Sequence, residues 1–219
     1  MLRVALIDLD DTLYGAETGL WPAIGLRIER FMVEAMGLAA ATVPTLRRRY
    51  FETYGTTLKG LVAEHGIDPA AYLRFVHDLP LEQYLCPAPE LDAMLARLPL
   101  IKAIFTNADA AHARRVLAQL GVVHRFETIV DIEALGYRCK PEPAAYARAL
   151  EMVGATAAEC VYADDSARNL VPARALGMTT VLVGPHRADG VDFGIPSIMG
   201  LEGVLAATGR LPLPEGKAA

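Results

Sequence analysis

Short apolar runs, most of them closed by a polar or acidic residue, recur along most of this chain. The runs are Val4-Ala5-Leu6-Ile7, Leu100 to Phe105, Thr128-Ile129-Val130, Cys160 to Ala163 and Thr179 to Val183. The first of them has no polar face, as expected of a strand in a parallel sheet covered on both sides. The stretches between the later runs carry apolar positions at helical spacing. Leu91, Met94, Leu95 and Leu98 form one stripe, and Val116, Leu117 and Leu120 another, with Asp109 able to cap the second helix and Gly121 to end it. Glu142 to Met152 predicts a helix before Gly154, and a further helix ends at Gly177. Pro172 falls inside that last helix, which must therefore start late or kink. Strands separated by helices predict an α/β fold, a Rossmann-like parallel sheet flanked by helices.

Residues 16–88 have a different texture, with helix signals and no convincing strand. Pro22 fits a first helical position, and Ile24, Ile28, Phe31, Met32 and Ala35 follow at helical spacing up to Gly37. Leu46, Tyr50 and Tyr54 give a second stripe, Leu58 to His65 a third helix, and Asp68-Pro69 starts a fourth carrying Tyr72, Leu73 and Val76. The predicted organisation is one domain from residues 1–15 and 89–208, an all-helical insertion over 16–88, and an extended or disordered tail over 209–219.

Composition narrows the function classes. With 53% apolar residues in 219, the chain can bury a sizeable core. A net charge of −5 disfavours nucleic acid as a partner, and Arg47-Arg48-Arg49 reads as a solvated helix face. Cys86, Cys139 and Cys160 are far apart, which predicts reduced thiols rather than a zinc site or a disulfide framework. No apolar run reaches the ~20 residues that span a bilayer. The N-terminus does not read as a signal peptide, so a cytoplasmic protein, a monomer or a weak homo-oligomer, is expected. His65, His77, His112, His124 and His186 form no metal-binding pattern and read as structural or surface residues. Gly-rich dinucleotide or ATP loops are absent.

The polar residues that fit no core pattern cluster at the ends of apolar runs. Asp8, Asp10 and Asp11 follow the first, Thr106 and Asn107 the second, and Asp164 and Asp165 the run from Cys160. In a parallel sheet these ends share one edge, where ligands bind, and a loop could bring Lys140 to it. These groups suit phosphoryl transfer. Asp8 can act as nucleophile and form an aspartyl-phosphate. Asp10 can protonate the leaving alkoxide and later deprotonate water. The Thr106 hydroxyl and the Asn107 backbone N–H can donate to phosphate oxygens, and Lys140 is the natural cation. Asp8 and Asp165 offer the hard oxygen ligands that Mg²⁺ prefers.

Asp8-Leu9-Asp10-Asp11-Thr12, Thr106-Asn107, Lys140-Pro141 and Asp164-Asp165-Ser166-Ala167-Arg168-Asn169, in this order, resemble the four motifs of the haloacid dehalogenase superfamily. The resemblance implies Asp8 as nucleophile and metal ligand, Asp10 as general acid/base with its backbone carbonyl on the metal, Thr106 as phosphate ligand and Lys140 as stabilising cation. It implies Asp165 as direct metal ligand and Asn169 as one acting through water or a neighbour. Asp164 is either an extra acidic ligand or a structural helix cap. The helical insertion after the first strand matches a C1-type cap, which implies a small soluble substrate. Asp10 to Tyr14, Tyr54 to Leu61, Phe75 to Asp78 and Phe105 to Ala108 further resemble the pyrimidine 5′-nucleotidase group, implying a nucleoside monophosphate such as UMP or CMP. Within the insertion, Trp21, Phe31, Tyr50 and Tyr54 read as core more than as a base-stacking surface. Thr56, Thr57 and Lys59 either contact substrate or cap a helix. The rivals are a metal-free haloacid dehalogenase, disfavoured by Asp10, and a phosphoacceptor signalling domain, disfavoured by the helical insertion.

Overall fold

The structure is a computed structural model and describes residues 1–211. Strand β1 (Val4–Ile7) is buried along its whole length. Four helices then make up the insertion: α1 (Leu20–Arg30), α2 (Val43–Tyr54), α3 (Thr57–His65) and α4 (Pro69–Val76). The alternating part then runs α5 (Pro89–Arg97), β2 (Ile101–Phe105), α6 (Ala110–Leu120), β3 (Thr128–Val130), α7 (Pro143–Val153), β4 (Cys160–Asp164), α8 (Ala167–Ala175), β5 (Thr179–Val183), β6 (Phe193–Ile195) and α9 (Leu201–Thr208).

The six described strands form one sheet in the order β3-β2-β1-β4-β5-β6, with every pairing parallel. Ile7 stands opposite Ile104 on one side and Ala163 on the other. The residues that leave β1, β2 and β4 therefore emerge at one edge. The connections run in opposite directions on the two sides of β1, which opens a crevice where parallel α/β sheets bind ligands. Successive residues of a strand face opposite sides. Ala5 and Ile7 enter the larger apolar cluster, which also holds Leu20, Ile24, Tyr50 and Tyr72 of the insertion, while Val4 and Leu6 pack with Tyr146 and Tyr162 on the other face.

Several local expectations are revised. Helix α1 begins at Leu20, so Pro22 is its third residue, where a missing N–H still costs no intrahelical bond. The apolar stripe after it continues as a π-helical turn over Phe31–Ala35. Helix α8 starts at Ala167 and carries Pro172 inside it, so the late start is ruled out. Strand β6 has no counterpart among the predicted strands. Gly209 ends α9 in the left-handed region, and Arg210 is held by its carbonyl accepting from Leu2 N (2.8 Å) and its guanidinium donating to Thr179 Oγ1 (2.8 Å). The expected tail is thus ordered at its first residues, and 212–219 lie outside the described residues. Among the described residues no helix is long and apolar enough to cross a membrane.

Candidate active site

Asp8 follows β1 directly, its N–H donating to Ala163 O at 2.9 Å and so extending the sheet ladder by one residue. Lys140 reaches it from the loop before α7. That loop is clamped to the end of β2, since Lys140 N donates to Asn107 Oδ1 (2.8 Å) and Asn107 Nδ2 donates to Lys140 O (3.2 Å). The ammonium is buried and has three acceptors for its three protons: Asp8 Oδ1 at 2.8 Å, Asp164 Oδ2 at 2.9 Å and Phe105 O at 2.8 Å. Burial disfavours its charge, but Asp164 and Asp8 outweigh that and push Lys140 up to about 12. Burial raises the Asp8 carboxyl well above the usual carboxylate range, against the pull of Lys140 and with the push of the Asp164 and Asp165 charges.

Asp164 is fully enclosed, and both of its oxygens are occupied. Oδ1 accepts from Ser166 N (2.8 Å) and Asn169 Nδ2 (3.0 Å); Oδ2 accepts from Lys140, from Asn169 Nδ2 (3.1 Å) and from the Tyr162 hydroxyl. Of the two readings open for Asp164, the geometry favours the structural one: it anchors Lys140 and the start of α8. Asn169 meets the site through Asp164. Asp165 lies at the exposed edge, its N–H donating to Thr12 Oγ1 at 2.9 Å. Burial, then the Asp164 charge, push its carboxyl up to about 6. Carboxylate oxygens of Asp8, Asp164 and Asp165 lie within 4.8 Å of one another. An all-oxygen cluster in which the Asp8 and Asp165 carboxyls are raised fits a hard divalent cation, and these two are the members not already saturated by internal donors.

Asp10 sits two residues past Asp8 and lines the same cavity. Its Oδ1 accepts from the Tyr14 hydroxyl at 2.5 Å and pairs with His112 Nε2 at 3.1 Å. Burial works to raise this carboxyl, but His112 and Tyr14 outweigh it and hold it below the usual range. His112 lies flat against His77, with ring centroids 4.1 Å apart, and His77 Nδ1 is 2.5 Å from Asp109 Oδ2. Both histidines are buried beside the site, a placement that the reading of all five as structural or surface residues did not single out. Sequence patterns missed them because they lie on different elements, α6 and the end of α4. One signal was available: His112 is the third residue of a helix that starts directly after Thr106-Asn107. Thr106 is buried, with its hydroxyl oxygen accepting from Ala108 N at 3.0 Å and its proton free to donate.

A cavity of about 590 Å³ connects Asp8, Asp10, Thr106, Asn107 and Lys140 to the helical insertion. Tyr50 and Phe31 are core as expected, but Trp21 is 48% exposed and lines this cavity with Phe51, at 52%. Arg47 and Arg48 line it too, so the arginine triplet is not simply a solvated face; Arg47 also pairs with Glu29 at 2.6 Å. Thr56 both borders the cavity and caps α3, accepting from Lys59 N at 3.1 Å. Lys59 Nζ instead reaches Glu142 at 2.5 Å, across to the loop of Lys140. A larger cavity of about 970 Å³ touches Asp11 and Asp165 from another side but includes none of Asp8, Asp10, Thr106 or Lys140, so the chemistry belongs to the smaller one.

Comparison with known proteins agrees with this geometry. The model of the haloacid dehalogenase-like hydrolases matches residues 2–177. Phosphate metabolism protein 8 of Saccharomyces cerevisiae is 29% identical over 196 residues, 82% of this chain; the chain spans only 61% of that protein's length. Phosphoglycolate phosphatase of Xanthomonas campestris is 30% identical over 189 residues, covering 82% of this chain and 81% of its own. The L-2-haloacid dehalogenase structure from Xanthobacter autotrophicus superposes with a TM-score of 0.63 at 17% identity, covering 94% of this chain and 99% of that one, which shows a shared fold. With the family model spanning the first four strands, the insertion and all four motif clusters, this chain belongs to the haloacid dehalogenase-like hydrolase family.

Proposed function

We propose that the protein is a Mg²⁺-dependent phosphatase that hydrolyses a small phosphate monoester through a phosphorylated Asp8, with residues 16–88 acting as a cap. The observation that carries the reading is the convergence, at the switch point of the sheet, of a lysine-clamped Asp8, a donor-held Asp10, and Asp165. Asp8 attacks phosphorus and the bond to the leaving oxygen breaks, with Asp10 giving that oxygen a proton. Asp10 then takes a proton from the water that attacks phospho-Asp8, and orthophosphate leaves. Thr106 and the Asn107 N–H hold the phosphate oxygens, and Lys140 keeps Asp8 oriented and ionised. Mg²⁺ would be held by Asp8, Asp165 and the Asp10 carbonyl, and when bound it supplies the charge that lets a carboxylate approach a phosphate dianion. Asn169 acts on this set through Asp164.

The fold alone is shared with a dehalogenase, so the residues must decide. A metal-free halide displacement has no use for an acid/base such as Asp10 or for an acidic cluster beside the nucleophile. The phosphatase names of the relatives support the same choice. For the substrate we favour a nucleoside 5′-monophosphate. The motif segments within the insertion support it, as do the flat apolar faces that Trp21 and Phe51 give the cavity. Arg47 and Arg48 in the wall instead suit a second anionic group, as in phosphoglycolate. The deciding experiment is a phosphate-release screen with Mg²⁺ over nucleoside monophosphates, sugar phosphates and 2-phosphoglycolate, with Asp8→Asn and excess EDTA as controls. Preference for UMP or CMP supports the full reading. Preference for 2-phosphoglycolate overturns the nucleotide assignment and leaves the mechanism standing. Turnover by Asp8→Asn, or full activity in EDTA, overturns the mechanism.

A further inference from the structure

The mechanism requires the Asp10 carboxyl to present one particular oxygen to the leaving group. A carboxylate on a short side chain turns easily, because terminal torsions onto a planar group have broad minima. Here both donors converge on a single oxygen: the Tyr14 hydroxyl at 2.5 Å and His112 Nε2 at 3.1 Å both meet Oδ1. Among the described residues Oδ2 receives no hydrogen bond and is left for the cavity that Asp10 lines.

The tautomer of His112 follows from its surroundings. Its side chain is 0% exposed, and Nδ1 is buried without a partner. A proton on Nδ1 would leave a buried N–H unpaired and turn the Nε2 lone pair toward a carboxylate oxygen. A proton on Nε2 instead makes the bond to Asp10 and leaves only a lone pair unmatched, the cheaper arrangement. The ring is fixed by the His77 ring, nearly parallel at 16° and 4.1 Å. His77 is fixed in turn, by Asp109 Oδ2 at its Nδ1 and by Arg115 Nη1, which donates to its carbonyl at 2.9 Å. Asp109 Oδ1 accepts from His112 N at 2.8 Å, closing the loop between the two histidines.

We propose that His112, held flat against His77, is a positioning residue that with Tyr14 fills Asp10 Oδ1 and so makes Oδ2 the proton-carrying atom. The inference rests on Asp10 being the acid/base of the proposed phosphatase. In the first half-reaction the O–H bond at Oδ2 breaks as the phosphorus–oxygen bond of the ester breaks. The proton goes to the leaving oxygen and the electron pair stays on Oδ2. In the second, water loses a proton to Oδ2 while its oxygen bonds to phosphorus, and the pair of the breaking phosphorus–Asp8 bond returns to Asp8. Because His77 ends α4, seating of the helical insertion and alignment of the acid are one structural event.

Two esters of similar shape test this. 4-Nitrophenyl phosphate releases a phenolate that needs no proton, whereas 4-nitrobenzyl phosphate releases an alcohol that does. Single-turnover release with full-length enzyme in excess and Mg²⁺ isolates the first half-reaction. His112→Leu is expected to lose about 10- to 100-fold with the benzyl ester and less than about threefold with the nitrophenyl ester, within the span of general acid catalysis. His112→Gln, which restores a donor near the Nε2 position, is expected to recover most of that loss. An equal fall on both esters, or no fall on the benzyl ester, overturns the proposal. Where His112→Leu fails to fold, Tyr14→Phe strips the other donor from the same oxygen and reads the same split. Asp10→Asn separates the two levels: no split there overturns the acid assignment itself, whereas a split there without one in His112→Leu overturns the positioning role alone.

Discussion

Lys140 stands between two buried carboxylates, and its value is clearest from its removal. Lys140→Met would strand Asp8 and Asp164 without their shared cation, and breaking a buried ion pair from one side costs on the order of 3–5 kcal/mol. Urea unfolding should show that loss, and adding Asp164→Asn should return part of it by removing one stranded charge. Asp165 predicts the opposite sign. Its carboxyl is raised from 3.8 to about 6, so the folded state favours the protonated form. Its contribution to stability is greatest below 3.8 and is lost as pH rises through about 6. Because Asp165 reaches solvent, Asp165→Asn should stabilise the metal-free protein at pH 7 by only about 1 kcal/mol. Melting in EDTA across that range checks this, and the variant should be more stable yet inactive. Asp8, Lys140 and Asp165 were legible as residues because each breaks an apolar or loop pattern with a charge that needs a partner. The part played by Asp164 was not legible, since it depends on which donors surround its two oxygens.

At the scale of elements, β1, β2, β4 and β5 were legible because a strand covered on both faces must be apolar at nearly every position. Strand β6 was not. It is three residues long with Gly194 at its centre, and only the free edge of β5 makes it a strand. Pro172 misled for a related reason. A proline lowers intrinsic helicity, but α8 packs beside β4 and β5, and tertiary packing overrides a local penalty. The contact between α2 and α3 gives a prediction of this scale. A Cβ on Gly60 would lie 2.4 Å from the ring of Tyr50 and 2.6 Å from its Cβ, atoms too near the backbone to swing aside. Gly60→Ala would gain helix propensity of up to about 1 kcal/mol, but forced overpacking costs about 1–3 kcal/mol. The variant should be destabilised on balance in thermal unfolding, despite being the usual stabilising exchange for a helix.

For the whole molecule, the relation between the insertion and the sheet matters most. Arg168 Nη1 donates to Phe51 O at 2.9 Å, Arg115 Nη2 to Leu79 O at 2.5 Å, and Lys59 pairs with Glu142 at 2.5 Å. These polar links tie the insertion to the sheet domain, and the cavity between the two has a floor that carries Asp8, Asp10 and Thr106 and walls that carry Trp21, Phe51 and Arg47. Lys59 and Glu142 are each about one-third exposed, so Lys59→Met should cost no more than about 1 kcal/mol of stability. Its effect should fall instead on closure, as a rise in KM of a few-fold with kcat nearly unchanged, measured with the best substrate of the screen.

The parallel sheet, the helical insertion after the first strand and the edge on which Asp8, Thr106 and Asp165 meet can be read from the chain alone. Each of these follows from the local period of apolar residues and from charges placed at strand ends. That Asp164 is saturated, that Trp21 and Arg47 face a cavity, and that His77 and His112 stack behind Asp10 emerges only once the chain is folded. Those facts depend on distances between side chains from separate elements, and no period along the chain encodes such a distance. The opening Asp8 to Thr12 stretch shows both halves. Its position after a buried strand marked it as a site, and the donors brought by α6 distinguish the surroundings of Asp10 from those of its neighbours.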